Sequence, residues 1–486
     1  MHLLRHAALL VAACLTTVAP AAGLSETIDA LAARSSLKAG TWGVAVVDCD
    51  GTLLAGIDSR TPRIPASNMK LLSSGTAIAT LGPRHMFRTR LLRVGDDIVL
   101  VGDGDPALAD PDLLADMTDT FGRPLTADGV LDIWADAVEQ TGITSVDRLV
   151  IDDRIFDRQF THPSWPTDQL NRYYCAGSAG LNFHRNVLHL RPGPGRGSAG
   201  PRLDDVRPAV PFLSIENRLR RHRTKSEVSA TRTIGGDTIV VSGTIAKQLV
   251  KPVDVTVHDM PLLTGRMLAD RLTRRGIDVS MVTRPNVGEQ FDAATPLGPD
   301  IVTPMAVVLE QCNTQSSNIY ADALLKRSAW EATRRPGSWR DGAALIRREV
   351  KARTGTNIVE VADGSGMSQE NKVSPYVLAM WLASFDRGTP GGDAMLDSLS
   401  TLERGTLKRR FSSMELSSCT LVAKTGYISG ASTLTGVITA PDGRCAAFSV
   451  LCNGLKDTTA AKKLQRNVVE AVAQWLAAQV RSPATS

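Results

Sequence analysis

Residues 61–81, TPRIPASNMKLLSSGTAIATL, constrain the fold of this chain more than any other segment. Two prolines stiffen the approach, and the apolar residues between Leu71 and Leu81 recur at helical spacing. The segment therefore predicts a buried helix that begins at Ser67. Because Ser67 and Lys70 lie three residues apart, their hydroxyl and amine share one face of the first turn.

This pairing has a chemical and a purely structural interpretation. A buried lysine with a lowered pKa can take the proton of a serine, and a helix start offers free N–H groups to an oxyanion. Alternatively, Ser67 only caps the helix and Lys70 is solvated. A Ser-x-x-Lys match is expected about once by chance at this length, and Ser35 with Lys38 also fits. The chemical interpretation therefore needs partners elsewhere in the chain.

The composition narrows the class of protein. At 486 residues the chain exceeds one ordinary domain, and its 43% apolar and 22% charged residues are typical of globular proteins. The net charge is only +5, and no basic arm or block is present. Nucleic-acid binding is therefore not expected.

Residues 1–22 have the pattern of a cleavable signal peptide. Arg5 is the only charge, an apolar run follows, and Ala19-Pro20-Ala21 is a small-x-small cleavage site. The apolar run is shorter than the ~20 residues of a spanning helix, so a stable membrane span is not expected. A lipoprotein processing box ending at Cys14 is the minor alternative. The sequence predicts export to the periplasm.

Removing the signal leaves six cysteines, which permit 15 disulfide connectivities. They are Cys49, Cys175, Cys312, Cys419, Cys445 and Cys452. A core of adequate size does not need disulfides, so free buried thiols are the alternative for some or all of them. No Cys-x-x-Cys occurs, and no metal site is expected.

The remaining patterns predict helices at both ends of the chain and short strands between them. Helices are expected from Ser25 and over 305–311, 317–329, 342–351, 375–385 and 459–480. Strands are expected over 41–48, 53–57, 97–101, 148–151, 186–190, 238–241, 421–423, 431–438 and 445–452, with a loop over 192–200. The last helix packs on the sheet or, less favoured, lies on a membrane.

Two further motifs occur beyond the β-rich middle of the chain. Ser316-Ser317-Asn318 lies in the break between two predicted helices, and Lys424-Thr425-Gly426 lies at the end of a predicted strand. Each motif also has a purely structural interpretation. Ser316 would be the N-cap of the helix that follows, and Lys424-Thr425-Gly426 would be a plain strand end. The two motifs together with Ser67 and Lys70, in this order, indicate a shared cleft.

The distribution of histidine favours the same chemistry. The last of the eight histidines is His258, whereas two of the three motifs lie after it. A Ser-His-Asp triad would need its imidazole from the middle of the chain, but a lysine-based site needs none. Histidine-rich zinc chemistry is equally unsupported, and no cofactor is expected.

Ser-x-x-Lys, Ser-x-Asn and Lys-Thr-Gly in this order resemble the signature of serine penicillin-recognising enzymes. The long gap between Lys70 and Ser316 is most similar to the D-alanyl-D-alanine carboxypeptidase/endopeptidase family of low-molecular-mass penicillin-binding proteins. Other matching stretches are Gly104-Asp105-Pro106, Leu181-Asn182, Arg185-Asn186, 363–368 and Asn371.

The resemblance implies an α+β fold. A penicillin-binding transpeptidase-like domain, with an antiparallel sheet of about five strands flanked by helices, would comprise residues 23–88 and 296–486. Residues 89–295 would form a large β-rich inserted region. The implied substrate is a peptidoglycan peptide, and β-lactams would be covalent inhibitors. An oligomer is compatible with the sequence.

The resemblance also implies roles for single residues. Ser67 would attack the carbonyl of a D-Ala–D-Ala bond, Lys70 would take its proton, and Ser316 would relay a proton to the leaving amine. Asn318 would position Lys70 or the substrate amide. Lys424 and Thr425 would hold the terminal carboxylate, and Gly426 would let the substrate approach the strand. The backbone N–H groups of Ser67 and Tyr427 would form the oxyanion hole.

Two other functions stay open at this point. A β-lactamase is the alternative enzyme, although neither a Glu-x-x-x-Asn segment nor a Tyr-x-Asn in place of Ser-x-Asn is found. A catalytically silent protein that binds wall fragments or β-lactams is the alternative from another class, but a pure binder needs no nucleophile. The sequence does not separate carboxypeptidase from endopeptidase activity.

Overall fold

The computed structural model describes residues 23–118, 122–195, 200–233, 236, 238–356, 359–411 and 413–479. The predicted signal segment 1–22 lies outside these residues, as do positions 196–199 of the predicted loop and the last residue of the predicted final helix.

The helices of the described chain are α1 (Leu24–Ala33), α2 (Met69–Leu81), α3 (Pro111–Leu114), α4 (Ala127–Glu139), α5 (Met260–Arg274), α6 (Met305–Asn313), α7 (Asn318–Thr333), α8 (Trp339–Thr354), α9 (Pro375–Ala383), α10 (Pro390–Asp397), α11 (Gly405–Arg410) and α12 (Thr459–Gln479).

The strands of the described chain are β1 (Trp42–Asp48), β2 (Leu53–Ile57), β3 (Met86–Val94), β4 (Asp97–Val101), β5 (Ser145–Asp152), β6 (Val187–Gly193), β7 (Arg202–Arg207), β8 (Ile215–Arg221), β9 (Glu227–Arg232), β10 (Ile239–Ile245), β11 (Val253–Thr256), β12 (Asp278–Thr283), β13 (Thr295–Pro296), β14 (Ile301–Pro304), β15 (Val359–Glu360), β16 (Lys372–Val373), β17 (Thr420–Ile428), β18 (Ala431–Thr439) and β19 (Cys445–Cys452).

A five-stranded antiparallel sheet joins the two ends of the chain in the order β17-β18-β19-β1-β2. Successive side chains of β1 point to opposite faces. Ala45 and Val47 belong to the core on the side of α2 and α9, whereas Val44 and Val46 belong to the core under α1 and α12. The predicted α+β fold with a sheet of about five strands is therefore confirmed.

Helix α2 is the centre of the larger core. Its residues from Met69 to Ile78 are all buried, and α6, α7, α8, α9 and α10 contact it. The indole N–H of Trp381 donates to the carbonyl of Leu71 (2.9 Å), and a Cβ at Gly75 would lie 2.6 Å from the same indole ring. This packing explains why the segment carries small and apolar residues on every face.

The inserted region is built on a second, mixed sheet. Its strands run in the order β12-β5-β4-β3-β13, with β14 also paired to β3, and α4 and α5 pack together beside it. Two three-stranded sheets, β8-β10-β9 and β11-β6-β7, complete the region. The sequence patterns predicted the β-rich character but neither α4 nor α5. The predicted boundary at 88/89 falls inside β3, and the division of domains stays a prediction.

Several predicted details differ from the structure. Helix α2 begins at Met69 and not at Ser67, which lies in the preceding 3₁₀ turn Ala66–Asn68. Helix α1 begins at Leu24, after Gly23 and without a side-chain cap, so Ser25 is not its N-cap. Helix α6 continues to Asn313, which moves the break before α7 to residues 314–317. Strand β17 continues to Ile428, so Lys424-Thr425-Gly426 lies within the strand and not at its end.

The closing helix packs on the central sheet, as predicted. Leu464, Val468, Val472 and Leu476 of α12 are buried in the core with β18 and β19. No helix in the described part of the chain is long and apolar enough to cross a bilayer.

One disulfide joins Cys49, just after β1, to Cys445 at the start of β19, with the two Cα atoms 5.7 Å apart. The cysteines Cys175, Cys312, Cys419 and Cys452 are free and buried. The antiparallel register places Asp48 opposite Ala446, which brings the two bonded residues together. Two of the six cysteines therefore form a disulfide and the other four are free and buried, so each of the two expectations is confirmed for some of the six.

Reduction of the Cys49–Cys445 disulfide is expected to destabilise the protein by about 2–4 kcal/mol, because the bond closes a very long loop in the unfolded chain. Urea unfolding with and without reductant measures this difference. In the double variant Cys49→Ser/Cys445→Ser the reductant should have no effect. Equal unfolding midpoints for oxidised and reduced wild type would contradict the prediction.

Candidate active site

Ser67 lies in a tight turn, Ala66–Asn68, that leads into α2. The residue before it, Ala66, has a left-handed backbone (φ +46°). The side chain of Asn68 fixes the turn to the central sheet, since its amide donates to the carbonyl of Lys424 (2.7 Å) and its oxygen accepts from Thr435 (3.1 Å). Ser67 is therefore held against the edge of the sheet.

Two glycines allow other segments to approach this turn. A Cβ at Gly366, where φ is +82°, would lie 1.8 Å from the carbonyl oxygen of Ala66. A Cβ at Gly426 would lie 2.1 Å from the hydroxyl of Thr433 and 3.1 Å from the backbone nitrogen of Ser67. A side chain at position 426 would therefore collide with Thr433 and crowd the turn of Ser67, a packing reason for glycine that the sequence did not reveal.

Lys70 is fully buried and its ammonium donates three hydrogen bonds. The acceptors are the hydroxyl of Ser67 (3.1 Å), the amide oxygen of Asn318 (2.7 Å) and the carbonyl of Ser365 (2.7 Å). Burial lowers the pKa of Lys70 below 10.5, and the nearby thiol of Cys312 and two carboxyl groups only partly oppose this shift. A lowered pKa suits an amine that must release a proton and accept one.

The link between α6 and α7 carries the second motif. Ser316 has a left-handed backbone (φ +64°), and its hydroxyl accepts from the ammonium of Lys424 (2.8 Å). Asn318, the first residue of α7, donates from its amide to the carbonyl of Tyr174 (2.8 Å) in the inserted region. The inserted region therefore holds in place a side chain that contacts Lys70.

Lys424 is the second fully buried lysine at this site. Its ammonium donates to Ser316 and to the carbonyl of Thr425 (3.0 Å). Burial lowers its pKa well below 10.5, and the charge of Lys70 lowers it further. Because like charges repel each other away from water, Lys70 and Lys424 favour a protonation state in which they do not both carry a full positive charge.

Strand β17 forms the edge of the sheet beside Ser67. Ala423 exchanges two hydrogen bonds with Ser400 on the side away from β18. Backbone groups alternate in direction along an antiparallel strand, so Thr425 and Tyr427 direct their N–H groups to this same side. The Thr425 hydroxyl donates to the Thr406 hydroxyl (2.8 Å), which orients it at the edge.

Ser67 and Ser316 both open onto a cleft of about 700 Å³ that also exposes Thr425, Gly426 and Tyr427. A smaller recess of about 460 Å³ lies on the other side of the Ser316–Asn318 link and is lined by residues of the inserted region. The structure thus brings all the predicted site residues together. Ser67, Lys70 and Asn318 form one hydrogen-bonded group, and Ser316, Lys424 and Thr425 form a second.

The sequence did not predict several supporting contacts. The acceptors at Ser365 and Tyr174 are backbone carbonyls. Every residue carries such a group, so the amino-acid sequence does not distinguish these two. Ser365 nevertheless lies within the polar turn 363–368 that the sequence singled out. Asp363 holds this turn by accepting from the backbone of Gly366 and Ser368.

Asp322 is a further buried carboxyl group behind Lys70, one helical turn after Asn318. It accepts from the backbone of Gly364 (3.0 Å), next to the residue whose carbonyl holds Lys70. Burial, with the charge of Asp363, raises the pKa of Asp322 well above 3.8. The spacing of four residues from Asn318 on one helix was the signal that could have identified it.

Comparisons with known proteins agree with this geometry. The model of the D-Ala-D-Ala carboxypeptidase 3 (S13) family matches residues 24–479. A D-alanyl-D-alanine carboxypeptidase of Actinomadura sp. (strain R39) is 28% identical over 462 residues, which cover 89% of this chain and 81% of the relative. D-alanyl-D-alanine carboxypeptidase DacB of Haemophilus influenzae is 22% identical over 438 residues, 85% of each chain.

The fold has a counterpart among solved structures. Penicillin binding protein 4 (dacB) from Haemophilus influenzae superposes with a TM-score of 0.73 at 19% identity, covering 93% of this chain and 99% of that chain. At this identity the likeness concerns the fold alone. Since the family model spans nearly the whole described chain, the sequence and the fold agree: this protein belongs to the D-Ala-D-Ala carboxypeptidase 3 (S13) family.

Proposed function

We propose that this enzyme hydrolyses the D-Ala–D-Ala bond of peptidoglycan peptides through an acyl-enzyme on Ser67. The observation that carries the proposal is the contact of a fully buried lysine, Lys70, with the hydroxyl of Ser67 (3.1 Å). A serine becomes nucleophilic when a base takes its proton, and burial, which lowers the pKa of Lys70, favours the neutral amine that can do so.

In the acylation step the Ser67 oxygen forms a bond to the carbonyl carbon while its proton passes to Lys70. The backbone N–H groups of Ser67 and Tyr427 stabilise the oxyanion. As the C–N bond breaks, the proton taken by Lys70 passes through the hydroxyl of Ser316 to the leaving amine. Water then attacks the ester carbonyl, and Lys70 takes a proton from the water and returns one to the Ser67 oxygen as the ester C–O bond breaks. Asn318 keeps Lys70 in place during both steps.

The terminal carboxylate of the leaving D-alanine binds at the edge of β17. Thr425 presents a hydroxyl there that donates to Thr406 and would turn its proton to the carboxylate when substrate binds, and the buried ammonium of Lys424 lies behind it. A hydroxyl backed by a cation suits a carboxylate. The same contacts accept the carboxylate of a β-lactam, which acylates Ser67 and leaves slowly.

We place the enzyme in the periplasm, exported by the signal segment 1–22, where peptidoglycan is accessible. Carboxypeptidase and endopeptidase activity differ only in the size of the leaving amine. The open edge of β17 beside Thr425 is compatible with both, and release of D-alanine is the activity we expect to measure first.

Fluorescent penicillin is expected to label the wild-type protein covalently and to leave Ser67→Ala unlabelled after denaturation. Ser35→Ala is the matched control, since Ser35 belongs to the second Ser-x-x-Lys sequence and should not affect labelling. Slow loss of the label supports a peptidase, whereas loss within seconds would show a β-lactamase. A label on Ser67→Ala would overturn the choice of nucleophile.

Acylation is expected to slow on acidification, because Lys70 must be neutral to accept the Ser67 proton. The neutral fraction falls about tenfold for each pH unit below the pKa, which burial places below 10.5. Stopped-flow acylation by a chromogenic β-lactam, measured between about pH 5 and pH 10, tests this dependence. Lys70→Arg should lose about 10²–10⁴-fold in rate, since a guanidinium stays protonated. A flat profile in wild type would contradict the assignment of Lys70.

Gly366→Ala is expected to abolish acylation, because the added methyl group would displace the carbonyl of Ala66 beside the nucleophile. Gly388→Ala is the matched control: its φ of +84° is similar, but nothing lies within 4 Å of the added Cβ. Both variants should lose about 1 kcal/mol of stability from the backbone alone. Equal acylation rates in the two variants would refute this account of the turn.

A further inference from the structure

Asp322 is a buried carboxyl group that the proposed mechanism does not use. It lies on α7, four residues after Asn318, and its side chain is fully buried. This spacing places its carboxyl group on the same face of the helix as the Asn318 amide, whose oxygen accepts from the Lys70 ammonium. The charge of Asp322 therefore acts on the amine that would take the Ser67 proton.

The carboxyl group is attached to the segment that holds Lys70. Its Oδ1 accepts from the backbone N–H of Gly364 (3.0 Å), and the carbonyl of the next residue, Ser365, accepts from the Lys70 ammonium (2.7 Å). This segment packs directly on α7, since a Cβ at Gly364 would lie 2.6 Å from the carbonyl oxygen of Ala321. Asp322 thus fixes one of the three acceptors of Lys70.

The second carboxyl oxygen of Asp322, Oδ2, is buried and has no hydrogen-bond partner among the described residues. The Ser365 hydroxyl lies beside the carboxyl group without forming a hydrogen bond of good geometry. A buried polar atom without a partner lowers stability. Stability therefore does not explain a carboxyl group at this position, and a function of its charge does.

Asp363, the other carboxyl group near Lys70, is paired completely. Its two oxygens accept from two backbone N–H groups, an amide and an indole, those of Gly366, Ser368, Asn371 and Trp165. Its charge is thus spread over the bonds that hold the polar turn. Oδ2 of Asp322 has no such donor in the described part of the chain, so less of the charge of Asp322 is screened from Lys70.

The charges of Lys70 and Asp322 favour each other in this dry site. Burial lowers the pKa of Lys70, and Asp322 is among the groups whose charge raises it again, after the thiol of Cys312. Burial and the charge of Asp363 raise the pKa of Asp322, and the charge of Lys70 lowers it. The titratable groups that face the two side chains are Cys175, Cys312, Lys326, Asp363 and Lys424. Because an amine with too low a pKa is a weak base, a partner that opposes the effect of burial favours proton transfer.

We infer that Asp322 is a positioning residue for the proposed reaction. It fixes one acceptor of the Lys70 ammonium, and its negative charge keeps that amine basic enough to take the Ser67 proton. The inference rests on the proposed function of Ser67 and Lys70. The alternative is a purely structural carboxyl group that only holds Gly364, a role in which the charge has no effect on the reaction.

The test is the pH profile of acylation by a chromogenic β-lactam, measured for wild type and for Asp322→Asn. The substitution keeps an oxygen for the N–H of Gly364 and removes the charge. Lys70 should then lose its proton at lower pH, so the acidic limb of the profile should move toward acid by about one pH unit or more. The weaker base should also lower the plateau rate, by up to about tenfold.

Two further variants separate the charge of Asp322 from its shape. Asp322→Ser is also uncharged and should show the same shift, and it decides the question if Asp322→Asn does not fold. Asp322→Glu keeps the charge and should keep the acidic limb near that of wild type. An acidic limb at the wild-type position in the uncharged variants, or an equal shift in Asp322→Glu, would overturn the inference.

Asp105→Asn is the matched control. Asp105 is also buried, and both of its oxygens accept hydrogen bonds, from the backbone of Ala107 (2.8 Å) and the hydroxyl of Thr303 (2.6 Å). This variant removes a buried carboxyl group that does not contact the segment holding Lys70. Its acidic limb should match that of wild type, and a shift as large as that of Asp322→Asn would count against the inference.

The wild-type profile separates this inference from the proposed function. If wild type is acylated with an acidic limb that Asp322→Asn does not move, the inference fails and the proposed function stands. If wild type is not acylated, or if its profile is flat, the assignment of Lys70 fails and the inference fails with it.

Discussion

The burial of one ammonium group determines how this protein is built around its site. Transferring a lysine out of water costs several kcal/mol unless its donors are satisfied. Lys70 meets this requirement with acceptors from Ser67, Asn318 and Ser365, which lie in three distant segments of the chain. The structure must therefore bring α2, the start of α7 and the turn near Gly366 to one point. The interactions that stabilise the core are the same interactions that prepare the site.

Much of this arrangement was predictable because its signals are local. Ser67, Lys70, Ser316 and Lys424 stand in short motifs whose order and setting predicted the family, the α+β fold and the enzyme class, all of which are confirmed. Alternating and helical apolar patterns also located the strands of the central sheet and the buried helix α2. The roles of the individual residues stay predictions, to be decided by the experiments above.

Other features were not predictable because they depend on contacts between distant segments. The carbonyl of Tyr174 that holds Asn318 has no side-chain signature. The pairing of Cys49 with Cys445 follows from the register of β1 on β19. The positions of the six cysteines in the sequence do not reveal that register. Helices α4 and α5 lie within a region of many short strands, where turn residues obscured their periodicity.

The order of the central sheet has a consequence for the chain as it is made. Strand β1 lies between β2 and β19, and the Asn68 side chain contacts Lys424, 356 residues later. Ser67 and Lys70, the proposed nucleophile and base, are thus synthesised early, whereas the strand edge beside them is among the last parts to appear. Such distant pairing makes folding slow. A growing or truncated chain that lacks β17 carries Ser67 and Lys70 without Lys424, Thr425 or the N–H of Tyr427. On the proposed roles of these residues, hydrolytic activity arises only when synthesis is nearly finished.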